Sequence, residues 1–285
     1  YSLSVSILTY PTAGTPFSDH HTLILCLLSF YTFILAIYEK KNIYWFLTPL
    51  LLGFALMSKQ APTVYITVLI TLISLVYFIK EKKISNLIYP ILGIIFTFFI
   101  FFTLIFLAKI DLKDFFYQYF LYPKSLGGTR FDWLFPFEFK RIVWRYKLQY
   151  FSVAILIYIF FKYFFKKIKI NFSDILIIFG FIFFCFLTIM HQLMTINAIF
   201  IYCLIPVFSG FSQVYNEKYL IRKKIFNNFL IILTLGSTIY YYLNYVHNRT
   251  FMDLRGIDLK NSIDGGKIHP ELSKIKWITM FYPDD

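Results

Sequence analysis

Charge is what this 285-residue chain has least of. Acids and bases together make up 15% of it, hydrophobic residues make up 59%, and the mean hydropathy is +0.66. A soluble domain of this length has too little interior to hide so much apolar surface, which excludes a water-soluble globular fold. Cysteine is nearly absent: Cys26, Cys185 and Cys203 all fall inside apolar stretches, with neither zinc-site spacing nor a disulfide framework. The familiar catalytic signatures are missing too, with no P-loop, no Rossmann glycine pattern and no serine-nucleophile elbow. No apolar stretch carries the run of acids or arginines that a proton pump or voltage sensor needs, and no internal symmetry suggests a transporter repeat.

What is present is a series of eight apolar stretches, near 22–38, 43–58, 61–79, 86–108, 148–165, 173–190, 192–211 and 225–246. Each approaches the ~20 residues that a helix needs to cross a bilayer, and a helix satisfies its own backbone polar groups there. The expected fold class is therefore all-α, a polytopic transmembrane helix bundle with about eight spans. Residues 1–10 read as the end of an earlier span, and the start at Tyr1 and stop at Asp285 read as a fragment cut at both ends. The bundle domain is expected over 1–246, and 247–285 reads as the start of an external polar C-terminal region.

The formal net charge of +13 does not point to nucleic acid, because the bases concentrate in hinges. Glu39-Lys40-Lys41, Lys80 to Lys83, Lys166 to Lys169 and Lys218 to Lys224 are basic, whereas the intervening hinges at 59–60 and 191 contribute one Lys between them. The positive-inside rule places the first set in the cytoplasm and the second outside. The long loop 109–147 is then external. Its aromatic runs Phe115 to Phe120 and Trp133 to Phe137 suit interfacial helices, separated by a flexible basic break from Pro123 to Arg130. That break reads equally as a moving lid or a surface turn.

Polar residues gather at the same external face. Asp19 reads either as a helix cap or, beside His20 and His21, as a group that binds a divalent metal or orients a hydroxyl. Lys59, next to Gln60, lies on the wrong side for a topology signal. Its ammonium either snorkels to the interface or meets a phosphate. His191 opens the polar run to Asn197 and reads as a solvated turn or as the lining of a cavity. Pro206 is expected to kink the helix that follows.

The order of these motifs resembles the GT-C superfamily of polytopic glycosyltransferases, particularly protein mannosyltransferase and lipid A aminoarabinose transferase relatives. Ser18-Asp19-His20-His21 stands where that family has an Asp at the external start of a helix. Gly53-Phe54-Ala55-Leu56-Met57-Ser58-Lys59 matches a "G-L-A-x-L-[ST]-K" stretch, and His191, Tyr202 and Pro206 match a later helix. The resemblance covers roughly 10–211. It implies sugar transfer from a polyprenyl-phosphate-linked donor to an envelope lipid, glycan or protein acceptor, at the external face of a bacterial inner or plasma membrane. It further implies that Asp19 positions the acceptor or a metal, and that Lys59, Gln60, His191, His20 and Arg130 bind substrate. The principal base would belong to an earlier external loop. A divalent metal on Asp19 and His20 is a candidate cofactor; none is required by the motifs. The bilayer is the other expected partner. An O-antigen ligase or polymerase, or a non-enzymatic transporter or flippase, are the alternatives.

Overall fold

Seven of the eight apolar stretches form continuous helix, and the remaining one, 192–211, is broken between the helix that ends at Met194 and the one that begins at Leu204. The computed structural model describes residues 1–9, 17–82, 84–125, 138–195, 199–220, 224–247 and 259–277. Its helices are α1 (Ser2–Leu8), α2 (Ser18–Glu39), α3 (Asn42–Ser58), α4 (Gln60–Lys80), α5 (Ile88–Leu107), α6 (Leu112–Phe116), α7 (Lys147–Phe164), α8 (Phe172–Met194), α9 (Leu204–Tyr219) and α10 (Lys224–Tyr241). Among the described residues, six helical segments are long and apolar enough to cross a membrane: α2, α4, Ile84–Leu107, α7, α8 and Ile199–Tyr219. At 17 residues α3 is shorter than these. Over α10 the asparagines Asn227 and Asn228 and the closing tyrosines dilute the hydropathy. The molecule is a polytopic all-α membrane protein.

Two predicted features of the chain after α8 are corrected. The polar run does not open a hinge at 191, because α8 continues through His191 to Met194 and leaves His191 buried rather than solvated. Pro206 does not kink its helix either. It stands in the first turn of α9, where the missing N–H is one that the helix leaves unpaired anyway.

Reversals of the chain put the basic hinges at one end of the bundle and the 59–60 hairpin, the end of α8 and the described parts of loop 109–147 at the other. These are called the hinge end and the loop end below. Interlocking rings fill the centre: Phe30 of α2 meets Phe181 of α8 edge-on at 4.9 Å and Phe184 at 5.5 Å, and all three are fully buried. Trp45 at the start of α3 packs on Phe78 at 4.4 Å. Apolar residues encircle α5, which packs chiefly on α3, and only 11% of its apolar window is buried. A helix apolar on all sides suits contact with lipid. Its crossing with α3 is close because of two glycines: a Cβ on Gly93 would stand 2.3 Å from the Phe46 carbonyl oxygen, and one on Gly53 2.0 Å from Thr97 Cγ2. Small residues at such crossings let membrane helices approach. Gly53, part of the family-like stretch, thus has a packing duty of its own.

Beyond the bundle, described residues 259–277 form short turns and a two-residue antiparallel pairing, Ile263 with Trp277 and Asp264 with Lys276.

Candidate functional site

Asp19, Lys59 and His191 are far apart in sequence and meet at the loop end. The route to that meeting starts in the 59–60 hairpin. Lys59 leaves α3 in an extended conformation, φ −164° and ψ 133°, while its N–H still donates to the Ala55 carbonyl at 3.0 Å. Thr63 Oγ1 donates to the Lys59 carbonyl at 2.8 Å, which fixes the hairpin from the other side. The side chain consequently turns into the bundle, where Nζ donates to both Asp19 carboxylate oxygens at 2.6 Å. His191 Nε2 lies 3.5 Å from Asp19 Oδ1.

Burial grades across the cluster. His191 is 2% exposed, the Asp19 side chain 12% and the Lys59 side chain 26%. Lys59 is therefore the most exposed member of the cluster. Behind it lies a cavity of ≈ 10 Å³ bounded by Asp19, His191, Gln192, Thr188, Phe200 and Ile201, at the lower limit for one water molecule. Gln192 is 3% exposed, and its Oε1 has no hydrogen-bond partner among the described residues. A buried carbonyl oxygen left unpaired is costly, so a donor at this position would be retained firmly.

The capping reading of Asp19 is replaced by this pair. The residue before the helix is Phe17, and it is His20, not Asp19, that caps the end of the helix there: His20 Nδ1 accepts the Phe17 N–H at 3.4 Å. His20 is 1% exposed and meets the Phe200 ring edge-on at 4.8 Å, a packing position. Lys59 does not simply snorkel, since a carboxylate holds it. Gln60 faces the loop, donating from Nε2 to the Tyr119 carbonyl, and the Tyr119 hydroxyl donates back to the Leu56 carbonyl. Arg141 Nη2 donates to the Leu193 carbonyl at 3.0 Å. Both described arms of loop 109–147 are thereby tied to the helix ends that carry the cluster. Arg130, most of the basic break and the aromatic run Trp133 to Phe137 lie outside the described residues. No group of three or more His, Cys, Asp or Glu side chains stands close enough to hold a metal among the described residues. The Asp19 oxygens proposed for one are engaged by Lys59.

Sequence reasoning missed a second buried carboxylate at the hinge end. Asp174, 1% exposed, accepts hydrogen bonds from the Tyr38 and Tyr219 hydroxyls, and Lys218 Nζ approaches it to 2.6 Å. Tyr215 lies 3.2 Å from the Tyr38 hydroxyl. The available signal was a lone acid at the start of a span, just past a lysine-rich hinge, with tyrosines recurring near other hinges. Both oxygens of Asp174 are occupied, and its partners come from α2 and α9, which it thereby joins to its own helix, α8. It is a clamp.

Fold and cluster together define a polytopic membrane protein with a polar site at one end of its bundle, suited to transport or catalysis at a membrane face. No family model matches the sequence, and no curated protein or solved structure shows significant similarity. The likeness to the GT-C enzymes accordingly rests on the quoted residues and their placement.

Proposed function

We propose that this protein is an integral membrane glycosyltransferase that moves a sugar from a polyprenyl-phosphate-linked donor to an envelope acceptor. In this reading all eight apolar helices span, the loop end faces outside a bacterial inner or plasma membrane, and the short helices of loop 109–147 lie in the interface. The observation that carries it is the convergence of Asp19, Lys59 and His191 at the end away from the basic hinges. The acceptor hydroxyl oxygen attacks the sugar's anomeric carbon, the bond from that carbon to the phosphate oxygen breaks, and the lipid phosphate leaves. Lys59 is the part-exposed cation that meets the charge growing on that phosphate, a preorganised electrostatic contribution. Asp19 is a positioning residue: both its oxygens hold the Lys59 ammonium, so the acceptor's proton goes to another base. Gln192 and His191 bound the water-sized space behind the carboxylate and support it from within the bundle.

A transporter needs polar groups along a path through the middle of the bilayer. Here mid-span hydroxyls such as Ser29 and Ser212 are turned to backbone, donating to the Thr48 carbonyl at 2.7 Å and the Ser152 carbonyl at 2.6 Å, whereas Ser209 Oγ and Thr234 Oγ1 are buried with no partner among the described residues. Charge gathers at the two ends instead, which favours surface chemistry.

The test is transfer from radiolabelled polyprenyl-phosphate sugars by protein reconstituted in liposomes. Lys59→Ala should reduce turnover by about 100-fold or more, the size expected for loss of a transition-state charge partner. Asp19→Asn should follow it with a smaller loss. Unchanged transfer in both variants would overturn the assignment. Labelling of Lys59→Cys from the inner side alone would overturn the orientation.

A further inference from the structure

A groove on the other flank of the loop end is built differently from the Asp19 cluster, and we infer that it holds a resident anionic glycerophospholipid. It encloses ≈ 560 Å³ between the start of α7 and the side of α10, within the usual range for small-ligand sites. Arg145 and Lys147 stand at its polar end, and none of the described residues that line it is acidic. Lys147 Nζ rests 3.5 Å above the Trp144 ring, which holds the charge at the groove instead of in open solvent. These cations lie away from the basic hinges, so orientation does not require them. A phosphate diester supplies the complementary charge.

The remainder of the groove suits an acyl chain. Leu233 and Gly236 of α10 form its floor, and Ile232, 69% exposed, opens it onto the apolar flank of the bundle. A Cβ placed on Gly236 meets nothing within 4 Å, so the glycine leaves a notch that no side chain fills. An opening on an apolar flank admits a lipid and disfavours a free phosphate.

The break in the seventh apolar stretch, 192–211, separates this groove from the proposed transfer site. Segment 199–202 forms a partition: Phe200 and Ile201 face the Asp19 cavity, whereas Tyr202 faces the groove and stacks on Tyr241 at 3.6 Å. A lipid seated beside Tyr202 is thus not the reacting donor. It braces the wall that the reacting site shares. The inference does not depend on the proposed sugar transfer, because its ligand and its readout are separate.

Native mass spectrometry of the protein in mild detergent, with added phosphatidylglycerol or phosphatidylcholine, tests this directly. The wild type should keep phosphatidylglycerol in preference. Retention should fall about tenfold or more in Arg145→Gln/Lys147→Gln, which loses two charge-assisted contacts. Gly236→Phe should lose it by filling the notch, while Gly236→Ala, which favours helix and leaves most of the notch open, should keep it. Equal retention of the two lipids by the wild type, or undiminished phosphatidylglycerol on the doubly neutralised variant, overturns the inference. So does displacement of phosphatidylglycerol by an equimolar polyprenyl phosphate, which would make the groove a donor site. Because the charge variant and Gly236→Ala both leave the notch unfilled, a misfolded Gly236→Phe does not blur the result.

Discussion

The two ends of the bundle each carry a carboxylate paired with a lysine, and they differ in what else surrounds it. At the hinge end Asp174 is closed off by two tyrosine hydroxyls and Lys218. At the loop end Asp19 has Lys59 and His191, and next to them a small cavity and a glutamine oxygen with no partner among the described residues. A fully satisfied buried network holds helices together and has little capacity left for a ligand. An incompletely satisfied one retains that capacity and is less rigid. The contrast separates a closed charge cluster from one with room beside it more clearly than burial or pairing alone.

Mutations at the two ends should therefore separate. Asp174→Ala should have the largest effect on stability, about 2–4 kcal/mol, because it strips the acceptor from two hydroxyls and a lysine. It should leave donor binding by the folded fraction unchanged. Asp19→Asn should cost less, about 1–2 kcal/mol, since Lys59 is part-exposed and water recovers some of its charge. Adding Lys59→Met to Asp19→Asn should restore most of that loss, as both charges then go together. Equilibrium unfolding in mixed detergent measures all of these. A larger cost for Asp19→Asn than for Asp174→Ala would break the contrast. Smallest of all, Tyr119→Phe should cost about 1 kcal/mol or less through the lost bond to the Leu56 carbonyl. Its clearer readout is faster proteolysis within loop 109–147, as one of the loop's ties to the 59–60 hairpin is cut.

How far the sequence revealed these ends follows from the physics of each signal. Six of the eight expected spans were legible as helices long and apolar enough to cross, because apolar length is a direct requirement of the bilayer and needs no tertiary information. The shared end of Asp19, Lys59 and His191 was legible from alternation alone, since an even number of crossings returns the chain to one face. Their mutual contact was not, because alternation fixes depth and leaves rotation about each helix axis free. His191 was misplaced by a few residues for a related reason: polar side chains in a last helical turn look the same as those in a hinge. Asp174 went unnoticed because a single acid near a basic hinge resembles a solvated charge until its tyrosine partners, drawn from distant helices, are seen. The groove beside Tyr202 was equally hidden, since a notch left by glycine is defined by what its neighbours do not fill.

The contact between His191 and Asp19 spans 172 residues, whereas the bond from Lys59 to Asp19 spans 40. During synthesis the pair thus exists as soon as the first hairpins are inserted, and the imidazole joins only when α8 arrives. Early pairing spares the nascent hairpins from carrying an isolated charge into lipid, which is expensive for a lone side chain. Completion of the cluster is in effect a report that insertion has proceeded through α8, and a chain stalled before that point has its charges neutralised and no site.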